Sequence, residues 1–261
     1  MNILIANDDG IRAEGLIELV KALSTEADIY VVAPDSQRSG ASHSITMNTK
    51  LYFEEQKVEG AKKAYSFTGT PADCVKMGIA LFEREGINID CVFSGINHGG
   101  NLGTDTLYSG TVGAAREGFI NSKISVAVSV NSHDPKSGFD YACDLAVKTL
   151  KRIKENRDKV TPCVLNLNVP NLPNEEIKGL KITKLGIRDY DNWFEPVNCD
   201  DGRIEICYGG EPISFDETES NTDFMADVIA MDLGYATITP LKSDLTYSKI
   251  LEENIWGIYD E

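Results

Sequence analysis

NILIANDDGIRAEGLIELVKALSTEADIYVVA, residues 2–33, is the stretch of sequence that decides the fold. Its apolar runs over residues 2–6 and 28–33 are short and uninterrupted, which predicts two buried strands. Between these runs, Leu and Val residues recur at the spacing of a helix with one apolar face. A strand, a helix and a second strand in this order indicate a βαβ unit and therefore a parallel sheet.

The following residues continue this alternation as far as residue 170. We predict short antiparallel strands within residues 45–67, helices over residues 71–85, 109–120 and 138–155, and strands over residues 90–96, 124–130 and 163–169. The polar segment 35–44 and the Gly-rich segment 97–108 are predicted loops. This order predicts an α/β fold with a Rossmann-like, mostly parallel sheet and helices on both faces.

The pattern of the sequence changes after Pro170. Glycine and proline residues interrupt short runs with β-strand character, such as residues 180–185 and 203–208, so we expect hairpins that project from the main domain. We further predict a helix over residues 224–231 and a last strand over residues 235–240. The tail, residues 245–261, is expected to reach over a partner subunit.

Charge and composition argue against several classes of partner. The formal net charge is −16 with 25 Lys and Arg residues, whereas binding a nucleic acid polymer or an anionic membrane surface requires a basic face. No segment approaches the roughly 20 apolar residues of a membrane span, and the N-terminus MNILIANDD lacks the features of a signal peptide. The six cysteines form no C-x-x-C pair, which favours free thiols in a reducing cytoplasm over a zinc site or disulfides. A small anionic substrate would then need positive charge from a bound cation or a helix N-terminus.

Asn7, Asp8 and Asp9 directly follow the first predicted strand. In an open α/β sheet, ligands bind outside the carboxyl ends of the strands. Two adjacent carboxylates repel each other unless a cation or a shared proton compensates their charge, and an oxygen-rich site favours a hard ion such as Mg²⁺ or Mn²⁺. The alternative is that Asp8 or Asp9 caps the following helix and that Gly10 forms a turn.

The loop RSGAS, residues 38–42, follows the second predicted strand and can lie beside these carboxylates. Ser39 can offer its hydroxyl to a metal ion. Gly40 and Ser42 can donate hydrogen bonds to a phosphate, because small residues let the backbone approach a ligand closely. The alternative is a flexible surface loop.

The segment SGINHGGNLGTDTLYSGT, residues 94–111, is the most informative in the chain. Asn97 follows a predicted strand, and its amide oxygen is a neutral ligand for a hard cation. Ser109, Gly110 and Thr111 open a predicted helix, whose first backbone amides lack partners within the helix and can bind phosphate. The alternative is a Gly-rich turn with Ser109 as an ordinary helix cap.

Five stretches of the chain together resemble the survival protein SurE family of nucleotidases. They read ILIANDDGIRAEG, VVAPDSQRSGASHSIT, GTPADCVKMG, SGINHGGNLGTDTLYSGTVGAAREG and GYATITPLKSDLT, and they span nearly the whole chain in the order of the family. The resemblance implies one domain over residues 1–261. Residues 1–170 would form a Rossmann-like core with the active site, and residues 171–261 a hairpin and C-terminal oligomerisation region.

The resemblance also implies the site residues and the assembly. The metal ligands of the family match Asp8, Asp9, Ser39 and Asn97. The positions at which the family approaches phosphate match Asn7, Gly40, Ser42, Ser109, Gly110 and Thr111. The implied assembly is a homodimer or a homotetramer.

The resulting prediction is a phosphomonoesterase that hydrolyses nucleoside 5′- and 3′-monophosphates with one Mg²⁺ or Mn²⁺ ion per subunit. The ion would neutralise phosphate charge and activate a water molecule, and Asp8 or Asp9 would orient that water or take its proton. Three alternatives stay open: an aspartyl-phosphate phosphatase with Asp8 as nucleophile, a receiver-like signalling module, and a non-catalytic nucleotide-binding protein. The adjacency of Asp8 and Asp9 argues against the first, and the length of the chain argues against the second.

Overall fold

The computed structural model describes residues 1–132, 134, 138–157, 159, 161–191, 193–199, 202–210, 212–215 and 223–246. Its α-helices are α1 (Glu14–Ser24), α2 (Pro71–Arg84), α3 (Gly110–Ile120), α4 (Asp140–Glu155) and α5 (Asp227–Asp232). Its strands are β1 (Asn2–Ala6), β2 (Asp28–Pro34), β3 (Phe53–Gln56), β4 (Ala61–Phe67), β5 (Cys91–His98), β6 (Ile124–Asn131), β7 (Val164–Pro170), β8 (Leu180–Ile182), β9 (Ile187–Tyr190), β10 (Trp193–Asn198), β11 (Ile204–Gly209), β12 (Pro212–Phe215) and β13 (Ala236–Leu241). Short 3-10 helices lie at Gly103–Leu107 and Asn174–Glu176.

Nine strands form one sheet in the order β3-β4-β2-β1-β5-β6-β7-β13-β8. The strands from β4 to β7 in this order are parallel, whereas β3 and β13 run antiparallel to β4 and β7. The chain leaves β1 on one side to form β2 and later places β5 on the other side, so the strand order reverses between β1 and β5. Such a reversal is where open α/β sheets bind ligands, outside the carboxyl ends of the strands.

Strand β1 shows how the sequence fills both faces of the sheet. Ile3 and Ile5 belong to the core formed with α1 and α4, whereas Leu4 and Ala6 belong to the core formed with α2 and α3. All four side chains are fully buried, because successive strand residues point to opposite faces and helices cover both. The predicted Rossmann-like sheet with helices on both faces is therefore confirmed.

The region after residue 170 differs from the prediction in one respect. Residues 180–185 are not part of a projecting hairpin, because β8 joins the main sheet beside β13. β8 pairs with β13, whose residues Ala236 and Ile238 pack on the core of α1 and α4. Pairing with a strand that follows much later in the chain is a tertiary effect, which local sequence patterns do not show. The prediction holds for residues 203–208, since β10 and β11 form a separate antiparallel hairpin. The expected contact of the tail, residues 245–261, stays a prediction, because residues 247–261 lie outside the described residues.

The opposite edge of the sheet agrees with the prediction in part. β3 and β4 pair antiparallel within residues 45–67, as predicted. However, β4 also pairs parallel with β2, and residues 45–52 form no strand. Among the helices that the structure describes, none has the length and apolar character to cross a membrane.

Candidate active site

A cavity of about 780 Å³ lies at the carboxyl ends of β1 and β5. The predicted site residues among its lining are Asp8, Asp9, Ser39, Gly40, Asn97 and Ser109. Its other lining residues are Gln37, His98, Gly99, Gly100, Asn101, Thr104, Asp105, Tyr108, Ile187, Arg188, Asp189 and Tyr190. We call Asp8, Asp9, Ser39 and Asn97 the acidic end of the cavity, and residues 187–190 the β9 wall.

A turn after β1 fixes the positions of Asp8 and Asp9. The side-chain nitrogen of Asn7 donates to the carbonyl of Gly10 (2.9 Å), and its side-chain oxygen accepts from the N–H of Gly10 (3.1 Å). Gly10 has a φ of +101°, which residues with a side chain rarely adopt. Asn7 itself is fully buried and lies behind the cavity lining. It therefore shapes the turn, and its predicted contact with phosphate stays a prediction.

The carboxyl groups of Asp8 and Asp9 lie in surroundings that disfavour their charge. Burial, opposed by a hydrogen bond from Thr111 and assisted by the charge of Asp9, raises the pKa of Asp8 to about 6. That bond joins the Thr111 hydroxyl to Asp8 Oδ1 at 2.5 Å. Burial also raises the pKa of Asp9. Two such neighbouring groups are stabilised by a bound cation.

The oxygen atoms of the acidic end fit a hard divalent cation. The side-chain nitrogen of Asn97 donates to the carbonyl of Gly99 (2.8 Å), which leaves the amide oxygen as an acceptor. The side-chain nitrogen of Gln37 donates to Ser39 Oγ (2.9 Å) and to Asp9 Oδ1 (3.3 Å), so a hydrogen-bond donor already bridges two oxygen atoms of this end. Carboxylate, hydroxyl and amide oxygens suit Mg²⁺ or Mn²⁺. Within the described ranges, no three His, Cys, Asp or Glu side chains cluster so that they could hold a metal ion.

The end of β5 brings Asn97 to the cavity. Asn97 and His98 pair with β6 after a register shift, so the strand runs to His98 instead of ending at residue 96. The ring of His98 packs on Phe139 with centroids 4.6 Å apart. Its Nδ1 is buried and has no hydrogen-bond partner among the described residues.

The N-terminus of α3 packs directly against Asp8. Ser109 caps the helix, because its hydroxyl accepts from the N–H of Val112 at 3.0 Å. A Cβ atom on Gly110 would lie only 2.8 Å from Cβ of Asp8, and Thr111 donates to the Asp8 carboxylate. Of the predicted phosphate residues of this turn, Ser109 lines the cavity, whereas Gly110 and Thr111 lie behind the lining and position Asp8.

The loop over residues 38–42 contributes Ser39 and Gly40 to the lining but not Ser42. The hydroxyl of Ser42 donates to the carbonyl of Leu107 (2.6 Å), and its N–H donates to the carbonyl of Tyr108 (3.0 Å). These bonds attach the loop to the segment before α3. A contact between Ser42 and phosphate therefore stays a prediction.

The β9 wall is the part of the cavity that the sequence analysis missed. It reaches the cavity through Asp105, which is 83 residues away from Arg188 in the chain. Arg188 Nη1 donates to Asp105 Oδ2 (3.2 Å), and the Tyr190 hydroxyl donates to the same oxygen (2.8 Å). Burial raises the pKa of Asp105, while the bonds from Tyr190 and Arg188 oppose that rise.

Asp227 attaches the β9 wall to the rest of the site. It is fully buried, and its carboxylate accepts from the N–H groups of Gly103 (2.9 Å) and Gly186 (2.8 Å). Burial raises the pKa of Asp227 against the opposing effect of these bonds. The available sequence signal was an aspartate inside the apolar run ADVIAM, because a buried carboxylate needs hydrogen-bond donors.

Comparison with known proteins places the chain in a family. The family model described as "Survival protein SurE" matches residues 3–192. A curated relative from Syntrophomonas wolfei, named 5'-nucleotidase SurE, is 41% identical over 254 residues, which cover 97% of this chain and 93% of that protein. A relative of the same name from Pelotomaculum thermopropionicum is 45% identical over 256 residues, which cover 97% of this chain and 93% of that protein.

A solved structure agrees with these sequences. The crystal structure of the SurE protein from Aquifex aeolicus matches with a TM-score of 0.79 and 34% identity, covering 97% of this chain and 98% of that one. The family model matches most of the chain, and the relatives match nearly all of it. The chain therefore belongs to the survival protein SurE family.

Proposed function

We propose that the protein is a metal-dependent phosphomonoesterase that hydrolyses nucleoside 5′-monophosphates, and also 3′-monophosphates, to nucleoside and phosphate. The observation that carries the proposal is the pair of neighbouring carboxyl groups of Asp8 and Asp9, both with raised pKa values, in a cavity beside the N-terminus of a helix. The relatives named 5'-nucleotidase SurE support the part of the proposal that concerns nucleoside 5′-monophosphates.

One divalent cation, Mg²⁺ or Mn²⁺, is proposed to bind at the acidic end. Asp8, Asp9, Ser39 and Asn97 would hold it, since their oxygen atoms line one cavity. When bound, such an ion neutralises phosphate charge and polarises the phosphoryl group.

The residues of the chain itself would hold the reactants and move the proton. The Asp9 carboxylate, which accepts a bond from Gln37, is proposed to orient the attacking water and take its proton. Thr111 fixes Asp8 through a hydrogen bond, so that Asp8 keeps one orientation. The backbone amides of Gly40 and of the first turn of α3 are proposed to donate to the phosphoryl oxygens. Phosphoryl transfer depends mainly on such positioning and electrostatics.

The proposal includes a single-domain homodimer or homotetramer in the cytoplasm. Exposed apolar side chains at the β8 edge of the sheet, Leu180 and Ile182, support assembly. Among the described residues, five cysteines are free thiols, in agreement with a reducing compartment. Light scattering of the purified protein measures the assembly, and a monomer would contradict this part.

The test is phosphate release from adenosine 5′- and 3′-monophosphates with Mg²⁺, with Mn²⁺ and with EDTA. We expect release that depends on the metal and that falls on the order of 10³-fold in Asp9→Asn, because the negative charge of a metal ligand and the proton acceptor are lost together. Asp28→Asn is the matched control, since Asp28 is half-exposed at the amino end of β2. No release by folded protein under any condition would contradict the proposal and leave a binding or signalling role.

A further inference from the structure

We infer that Arg188 of the β9 wall, oriented by Asp105 and accompanied by the ring of Tyr108, recognises the nucleobase of the substrate. Arg188 would thereby set the preference for nucleotides over other phosphomonoesters. The inference rests on the proposed nucleotidase function and adds a specificity-determining residue to it.

Arg188 carries unused hydrogen-bond donors on a side chain that is mostly buried. Among the described residues that line the cavity, Arg188 carries the one basic side chain of the lysine or arginine type. That side chain is only 14% exposed. Burying a charge costs free energy unless partners satisfy it. Within the described part of the chain, the guanidinium donates a single bond, to Asp105. Because a guanidinium carries several N–H donors in a plane, the remaining ones are available to a ligand.

The ion pair is not required to hold β9 in place. The hydroxyl of Thr104 accepts from the N–H of Arg188 at 3.2 Å and also donates to its carbonyl. Asp227 independently ties Gly103 to Gly186. Hydrogen bonds from the side chains of Thr104 and Asp227 to backbone atoms therefore hold the two segments together, and the guanidinium is left to act in the cavity.

Asp105 places an acceptor beside these donors. Its Oδ2 accepts from Arg188 and Tyr190, whereas its Oδ1 accepts no hydrogen bond from any described residue. A nucleobase edge carries acceptors and N–H donors side by side, which matches a guanidinium next to a carboxylate oxygen. A second phosphate would meet repulsion from Asp105. The pair therefore suits a base better than another anion.

Tyr108 supplies a surface on which a base can stack. Its side chain is 68% exposed and lines the same cavity. Tyr108 directly precedes the helix cap Ser109, and both residues line the cavity together with the β9 wall. Stacking on an aromatic ring accepts any base because every base has a planar face. With the phosphate at the acidic end, the base would meet Tyr108 and Arg188.

The test compares two substrates that differ only in the base: adenosine 5′-monophosphate and ribose 5-phosphate. We expect Arg188→Gln to lower the ratio of their kcat/KM values by about tenfold or more, through KM of the nucleotide, as for loss of a hydrogen bond from a charged donor. We expect Tyr108→Ala to lower the ratio by roughly fivefold or more. Arg152→Gln is the control, because Arg152 is 81% exposed on α4 and pairs with the exposed Glu155; it leaves the ratio unchanged.

An unchanged ratio in both cavity variants, or an equal loss on both substrates, would overturn the inference. If Arg188→Gln does not fold, Tyr108→Ala carries the test with the same readings. Calorimetric binding of adenosine adds a readout without turnover, and Arg188→Gln should weaken it by about tenfold. A native protein that hydrolyses neither substrate, yet binds adenosine through Arg188, would contradict the proposed function and uphold this inference.

Discussion

The acidic end and the β9 wall belong to one cavity but are built in different ways. The acidic end consists of residues at or just beyond the carboxyl ends of parallel strands of the main sheet, and α3 packs against it. The β9 wall belongs to a small sheet with β12 and is attached through single side chains such as Asp227. The first is therefore fixed by the core of the protein and the second by a few buried bonds. Damage to the acidic end should reduce turnover of every substrate, whereas damage to the β9 wall should reduce the preference for nucleotides.

After Asp9→Asn, the largest effect is expected at the contact between α3 and Asp8. In Gly110→Ala the new Cβ atom would lie 2.8 Å from Cβ and 2.9 Å from Oδ2 of Asp8, so either Asp8 or the first turn of α3 must shift. A displacement of this kind costs about 10²-fold in kcat/KM, on adenosine 5′-monophosphate and ribose 5-phosphate alike. Steady-state kinetics on both substrates measures it. Gly138→Ala is the control, because the nearest described atom to a Cβ there is Asp140 Oδ2, at 4.0 Å. Full activity of Gly110→Ala would contradict the expected role of α3 in positioning Asp8.

A smaller and more selective effect is expected from Asp227→Asn. The substitution keeps the shape but replaces one acceptor oxygen by a donor that faces a backbone N–H, of Gly103 or Gly186. Such a mismatch costs about 1–3 kcal/mol of unfolding free energy, and KM should rise more for the nucleotide than for ribose 5-phosphate. Denaturant unfolding measures the loss of unfolding free energy, and steady-state kinetics measures the change in KM. Asp232→Asn is the control, because Asp232 is exposed on the same helix. An equal change on both substrates would show that the two ends are not separable.

The smallest effect concerns pH and a buried ion cluster on α3. The Glu117 carboxylate, 3% exposed, lies 2.9 Å from both His43 Nε2 and Lys76 Nζ. Burial raises the pKa of Glu117, but bonds from His43 and Lys76 outweigh it and bring the pKa below its ordinary value of 4.5. Because the folded pKa is the lower one, the stabilisation is present above pH 4.5 and is lost as the pH falls through the folded value.

We therefore expect that, as the pH falls below 4.5, the unfolding free energy of the native protein decreases more steeply than the unfolding free energy of Glu117→Gln. The difference is on the order of 1 kcal/mol and is measured by urea unfolding at a series of pH values. Glu83→Gln is the control, since Glu83 is exposed and its lysine partner is 3.9 Å away. Parallel pH profiles of the native protein and Glu117→Gln would contradict the expectation.

The same contrast explains what the sequence could predict. Asp8 and Asp9 directly follow a strand whose apolar run is unmistakable, and the topology of parallel sheets places such residues at the ligand site. The pairing of Arg188 with Asp105 depends on how the chain folds back over a sequence separation of 83 residues, and no local periodicity encodes it. The position of β8 in the main sheet has the same cause, since it depends on its partner β13 and not on its own short run.

The most direct measurement of the whole account is a crystal structure with Mn²⁺ and a non-hydrolysable phosphonate analogue of adenosine 5′-monophosphate, with anomalous data at the manganese edge. The account predicts an anomalous peak at about 2.0–2.6 Å from oxygen atoms of the acidic end. It also predicts the phosphonate beside that peak and the adenine between Tyr108 and Arg188. A manganese ion bound elsewhere, or an adenine outside the β9 wall, would contradict it.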